Sequence, residues 1–319
     1  MLFNLIPPIV PTSALDEVHI PDTNNETPYF VKLYVDGKVA YEDDLYAYNG
    51  YLYIYGLNDI IRDAAETVAP KCTLQYFDAG LVSKEFTAIV TDLTLHDSTD
   101  FTHSFLTDSD SSVCPKGAIL ALAAVGSDVT KDSKLILTSD YGFKTEYSPA
   151  VSGGAIIFRF ALPDKSGVYV ATLGKRRHIF FSGAMGDAHQ IVYTNLFNAP
   201  QIIYLHASVK TLHNRQAKIA DVAGQPNEYD ISVTSEFEFS ARGVPAFNAE
   251  SLANLPFANN ISIDGHEVAV SELKSEESRE TADMFEIKFT ARLKEHSLQK
   301  NPFDIRRRIF KDPFNLNFR

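Results

Sequence analysis

Three dipeptides constrain this chain more than any other feature: Asp36-Gly37, Asn49-Gly50 and Asp264-Gly265, each set between short runs of alternating apolar and polar residues. Such pairs supply the two positive φ angles of a two-residue hairpin turn, and alternation with period two marks a strand with one buried face. Val31, Leu33 and Val35 alternate with Lys32 and Tyr34 before the first turn, and Val39 and Tyr41 resume after it. After the second turn, "YLYIY" reads as a strand of aromatic and β-branched residues. Leu57, Ile60, Ile61 and Ala64 then recur at helical spacing, with Asn58 and Asp59 at the positive end of the helix dipole and Pro70 as the stop. "CTLQYF" and "EFTAIVTDLTL" return to strand periodicity, which predicts a sandwich-like module with one helix over residues 26–97.

A similar string of elements comes back near the C-terminus. "PQIIYLHASVKTLH", "QAKIADVA" and "NEYDISVTSEFEFSA" read as long strands, "NAESLANLPFA" as a short helix, and "NISIDGHEVAVSEL" and "MFEIKFTARL" as closing strands, giving a second module over 191–299. Between the modules, residues 97–115 are rich in Asp, Ser and Thr and read as a loop. Short apolar runs from "GAILALAAVG" to "RHIFFSG" follow, so 98–190 is expected to be a β-rich middle domain or insertion. The predicted architecture is mainly β: two or three β-sandwich-like domains, each with at most one short helix, plus extended N- and C-terminal arms.

Those arms are residues 1–25 and 300–319. The first alternates apolar residues with prolines, and its Leu2, Phe3, Leu5, Ile6, Ile9 and Val10 need a surface, either their own domain or a neighbouring subunit. The second brackets Arg306, Arg307, Arg308 and Lys311 between two Pro-Phe units, so it is basic and aromatic on an acidic protein. Both are expected to dock on adjacent subunits. The interface candidates are Leu2, Phe3, Leu5, Ile6, Phe303, Arg306, Arg307, Arg308, Phe310, Phe314 and Phe318, with Tyr51 and Tyr53 from the tyrosine stripe of the first module.

Charge narrows the function classes. A formal net charge of −12 argues against specific nucleic-acid binding, which needs clustered cations that release counterions. No apolar run is long enough for a membrane-spanning helix, and the proline-broken start lacks the basic region of a signal peptide. Cys72 and Cys114 match neither a zinc pairing nor a CxxC motif, and are expected to be buried free thiols. No nucleotide-loop, metalloprotease or nucleophile-elbow motif occurs. His96, Asp97 and His103 read as solvated loop polars, "DSDSS" lacks the glycine and glutamate of a calcium loop, and "GKRRH" at 174–178 reads as a solvated turn or a salt-bridge partner. Neither cofactor nor catalytic activity is expected.

The runs "VKLYVDGKVAYEDDLYAYNGYLYIYGLNDIIRD", "LFNAPQIIYLHASVKTLHNRQAKIADVAGQPNEYDISVTSEFEFSA" and "NISIDGHEVAVSELKSEES" with "FEIKFTARL" resemble structural proteins of the tail modules of phages and prophages of gut anaerobes. The resemblance is weakest from 98 to 190. It implies a virion component, made in the host cytoplasm, of the distal tail, baseplate or tail-tip type. Its partners would be copies of itself in a ring and other phage tail proteins, with no active site to carry over. Acidic subunits around a channel would let DNA slide through. An alternative is a carbohydrate-binding adhesin or receptor-binding module using the stripe Tyr46, Tyr48, Tyr51, Tyr53 and Tyr55.

Overall fold

A computed structural model describes residues 1–21, 28–77, 80–91, 103–222, 225–277 and 283–294, excepting the side chains of 213–234. The protein is mainly β, with several sheets and two α-helices among these residues.

The N-terminal unit contains strands β1 (Ile9–Pro11), β2 (Glu17–Pro21), β3 (Tyr29–Val35), β4 (Lys38–Leu45) and β5 (Tyr51–Tyr55), helix α1 (Leu57–Ala64), then β6 (Lys71–Phe77) and β7 (Leu81–Ile89). Five strands form one sheet in the order β1-β7-β6-β3-β4, while β2 and β5 pair separately. Asp36 and Gly37 take φ of 49° and 81° and turn β3 into β4. Asn49 and Gly50, at 49° and 79°, close the backbone pair Tyr48–Tyr51 that leads into β5. Both turns are as the sequence predicts.

Residues 1–21 correct one expectation. The segment is extended over much of its length, but it lies on its own unit and not on a neighbour. Its β1 pairs in parallel with β7, and β2 pairs antiparallel with β5. Phe3, Ile6, Val10, Leu15, Val18 and Ile20 enter the unit's core, and the Phe3 ring meets Tyr76 edge-on at 5.3 Å. Phe3 and Ile6 are therefore core residues and not subunit contacts; Leu2 and Leu5 stay exposed. Covering the β7 edge within one chain avoids the entropy loss of association.

The middle unit comprises β8 (Ser111–Pro115), β9 (Ile119–Val125), β10 (Leu135–Ser139), β11 (Lys144–Tyr147), β12 (Ala150–Ser152), β13 (Ala155–Ala161), β14 (Gly167–Leu173) and β15 (Arg176–Gly183). Sheets β11-β10-β14-β15-β8 and β12-β13-β9 share a core that includes Leu122, Leu137, Phe158, Tyr169 and Phe180. Here a second expectation fails: the polar stretch read as a loop supplies β8, which pairs in parallel with β15, and Phe105 and Leu106 ahead of it are buried. Serine at two of its five positions hid a strand whose partner lies far downstream.

The C-terminal unit has β16 (Ala188–Thr194), β17 (Pro200–His206), β18 (Ser208–Val222), β19 (Gln225–Pro245), helix α2 (Ala246–Ala253), β20 (Asn259–Ile263), β21 (His266–Glu277) and β22 (Met284–Leu293). They form one seven-stranded sheet, β17-β16-β20-β21-β22-β19-β18. Asp264 and Gly265 turn β20 into β21 with φ of 51° and 82°. The element string resembles that of the first unit, but the ladders differ. In the first unit the strand after the helix, β6, pairs with β3; here the last strand, β22, pairs with β19.

The three units meet in a small apolar cluster of Val68, Ala69 and Ile89 from the first, Ala123, Val125 and Ala155 from the middle, and Phe197 and Ala199 from the third. Gly154 N–H donates to Ala69 O at 2.7 Å, and the Asn198 amide donates to Thr67 O at 2.9 Å. At Gly153, φ is 59° and a Cβ would run into Thr67 and the Ala69 carbonyl, so glycine there serves both conformation and close approach.

Candidate functional site

Two surfaces stand out, and each follows from strand geometry. On β5, Leu52 and Ile54 point into the core, so Tyr51, Tyr53 and Tyr55 point out. The Tyr53 and Tyr55 rings are stacked, 6.0 Å apart and 6° from parallel, and Tyr51 lies 6.2 Å from Tyr53. His19 of β2 stands edge-on to Tyr53 at 4.8 Å, with the Glu17 carboxylate 2.9 Å from its Nε2. Tyr46 and Tyr48 extend the patch at 63% and 69% exposure. Partial desolvation, and then the Glu17 carboxylate, raise the Tyr55 phenol above its ordinary pKa.

The second surface is the β18–β19 hairpin. β22 pairs with β19 only as far as the Phe237–Ala291 pair, while the hairpin's own register runs on to Val222–Gln225. Beyond the sheet it continues as a two-stranded ribbon, with one register shift between Gln216 and Lys218. No third strand pairs with it among the described residues.

The buried polar groups form a joint between the middle and C-terminal units. Tyr193 donates its hydroxyl to Asp108 Oδ2 at 2.8 Å and approaches Ser251 O at 3.3 Å. The Asn195 amide donates to Gln201 Oε1 and to Leu106 O, and its own Oδ1 accepts from Phe197 and Ala199 N–H, fixing the turn between β16 and β17. Asn248 of α2 accepts from Val113 N–H of β8 at 3.0 Å. Burial raises the Asp108 carboxyl to about 6 against the opposing pull of Tyr193 and Asn254. Polar groups taken from water in this way are held by their hydrogen bonds.

The "GKRRH" bend is partly a salt-bridge site, as one of the two readings anticipated. Arg176 is fully buried, its two terminal nitrogens bonded to Asp128 at 2.8 and 3.0 Å and one of them also to Val125 O. Ser112 Oγ lies 3.2 Å from His178 Nε2, but Nδ1 makes no hydrogen bond and burial lowers the imidazole to about 3. That pair has neither a carboxylate to orient the ring nor access to water, so it belongs to the core. Cys72 and Cys114 are buried free thiols, each pushed up to about 12, chiefly by desolvation. No group of three His, Cys, Asp or Glu side chains suited to a metal occurs among the described residues. Nor is any helix there long and apolar enough to cross a membrane.

Of the predicted interface residues, Tyr51 and Tyr53 come together on one face, exposed Leu2 forms a backbone bridge with His19 on the strand beside them, and Leu5 is exposed on the same unit. Phe303, Arg306, Arg307, Arg308, Phe310, Phe314 and Phe318 lie outside the described residues, as do His96 and Asp97. The strand breaks here differ from those expected: "PQIIYLHASVKTLH" is not one strand but β17 and the start of β18, and β18 runs on through "QAKIADV", so neither the ribbon's length nor its projection past the sheet was read from the sequence. No protein-family model matches the chain, and no curated protein sequence matches it.

Proposed function

We propose that this protein is a ring-forming structural subunit of a bacteriophage tail, of distal tail, baseplate or tail-tip type. On this reading it acts by assembly with copies of itself and with other tail proteins, not by catalysis. The likeness of its strand-turn-helix runs to tail-module proteins supports the reading, and one structural observation carries it: the β18–β19 ribbon continues past its sheet with no third strand paired to either edge among the described residues. A lone two-stranded ribbon is at best marginally stable in water, and open strand edges invite further pairing. Neighbouring subunits in a closed ring supply that cover without runaway growth.

Sedimentation of the full chain, beside a variant in which 214–234 are replaced by Asn-Gly, tests the reading. The full chain is expected to sediment as a closed oligomer and the shortened chain as a monomer with an intact β-rich circular dichroism spectrum. A full chain that stays monomeric at every concentration defeats the proposal.

A further inference from the structure

We infer that the tyrosine face of β5 is the docking site for residues 300–319 of a second copy of this chain. The inference rests on the assembly reading above and adds which surfaces meet. The face combines two properties. Of the exposed large hydrophobic side chains, Tyr46, Tyr48, Tyr51 and Tyr55 fall within ten residues. Acidic side chains adjoin it: Glu17 stands opposite Tyr55 across the β2–β5 pair, and exposed Glu42, Asp43 and Asp44 at the end of β4 precede Tyr46 in the chain. Over residues 41–66 there are six acidic side chains and one basic one, Arg62; Glu42, Glu66 and Asp59 are paired with Lys32, Lys38 and Arg62, which leaves Asp43 and Asp44 beside Tyr46 without a cation in any ion pair found among the described residues.

Residues 300–319 carry the complement. Six cations, Lys300, Arg306, Arg307, Arg308, Lys311 and Arg319, face two acids, Asp304 and Asp312, and Phe303, Phe310, Phe314 and Phe318 are interleaved with them. Guanidinium groups stack on tyrosine rings and pair with carboxylates at once, so a surface offering both suits an arginine-aromatic segment better than either alone. The acidic edge of β21 shows the contrast. Glu267, Glu272, Glu276 and Glu277 are exposed there, but no exposed large hydrophobic lies on that strand. The 25 residues after Lys294 are long enough to reach up to about 80 Å if fully extended.

The test uses the full-length protein with Tyr55→p-benzoylphenylalanine as a photocrosslinker, mixed with an equal amount of 15N-labelled chain lacking the probe. The same probe at Phe257, 70% exposed on the C-terminal unit, is the control. Mass spectrometry is expected to find crosslinks from residue 55 to residues 300–319 of the heavy chain, and none to that segment from residue 257. Arg306→Glu, Arg307→Glu and Arg308→Glu together should lower that crosslink yield roughly tenfold or more, as loss of a buried charged anchor does. Sedimentation of the same sample separates the two claims. An oligomer whose residue 55 crosslinks elsewhere, or only to its own tail, overturns this docking site and leaves assembly standing; a monomer overturns both. Glycan-array binding lost on Tyr51→Ala and Tyr55→Ala also overturns it, because the face then serves a sugar.

Discussion

Helices α1 and α2 occupy similar places in two similar strings of elements, yet they are held in opposite ways. α1 buries Leu57 and Ile61 against its own unit, resting on the 3-10 turn Thr12–Leu15, and leaves Asp59 and Asp63 in water. α2 buries Ala249 and Leu252 in the core of its own sheet and also buries Asn248 and Ser251, because β8 of the middle unit covers its other side. A helix with one wet face is anchored by apolar burial alone. A helix dry on two sides must also satisfy the strand edge it covers, and Asn248 does so for Val113 N–H. The lesson is that the first helix serves its unit, whereas the second binds two units together.

The largest effect expected to separate them comes from the apolar anchor of α1. Leu57→Ala removes a fully buried side chain and should destabilise the protein by about 2–5 kcal/mol in chemical denaturation. A loss below about 1 kcal/mol would show that α1 is not held by that face, and the contrast with α2 would collapse.

How far sequence reading reached follows the same division. The three Gly-containing turns and α1 were legible because each signal is local: positive φ demands Asn, Asp or Gly, and one wet face leaves a 3.6-residue period in the sequence. The place of α2 against β8 was not, since polar Asn248 and Ser251 break that period while being buried. β8 itself was lost in a polar stretch. The junction of the three units is built from Ala and Gly drawn from distant segments, and small residues carry no pattern that names their partners. The first 21 residues read as an arm for adjacent subunits because prolines dominate the start; the alternation of Val18 and Ile20 with Glu17 and His19 was the signal that they pair within their own unit. Of the candidate site, the tyrosine face was readable from the alternation in "YLYIY", but the ribbon's independence depends on where β22 ends.

Next in size is the polar bond of α2. Asn248→Ala leaves Val113 N–H without its acceptor in a part-buried setting and should cost about 1–3 kcal/mol. The matched change on the wet face of α1, Asp63→Ala, should stay within about 0.5 kcal/mol. Equal losses at the two positions would erase the distinction between a one-sided and a two-sided helix.

The smallest expected effect is a pH dependence that belongs to the α2 joint alone. Asp108 lies against Tyr193, which also touches Ser251, and against Asn254 at the end of α2. Burial lifts its carboxyl from 3.8 to about 6, so the folded state holds the proton more tightly than the unfolded chain. Its contribution to stability is therefore fully present below about pH 4 and is lost as pH rises through 6. Because the residue is partly reached by solvent, the loss should be about 1–2 kcal/mol, less than the full shift implies. Asp108→Asn keeps an acceptor for the Tyr193 hydroxyl and removes the titration. The difference in stability between variant and parent should therefore grow in the variant's favour from pH 4 to pH 7, read as denaturation midpoints in matched buffers. A difference that stays flat across that range would place Asp108 in water and not in the joint, and α2 would then hold the middle unit through Asn248 without help from the Asp108–Tyr193 pair.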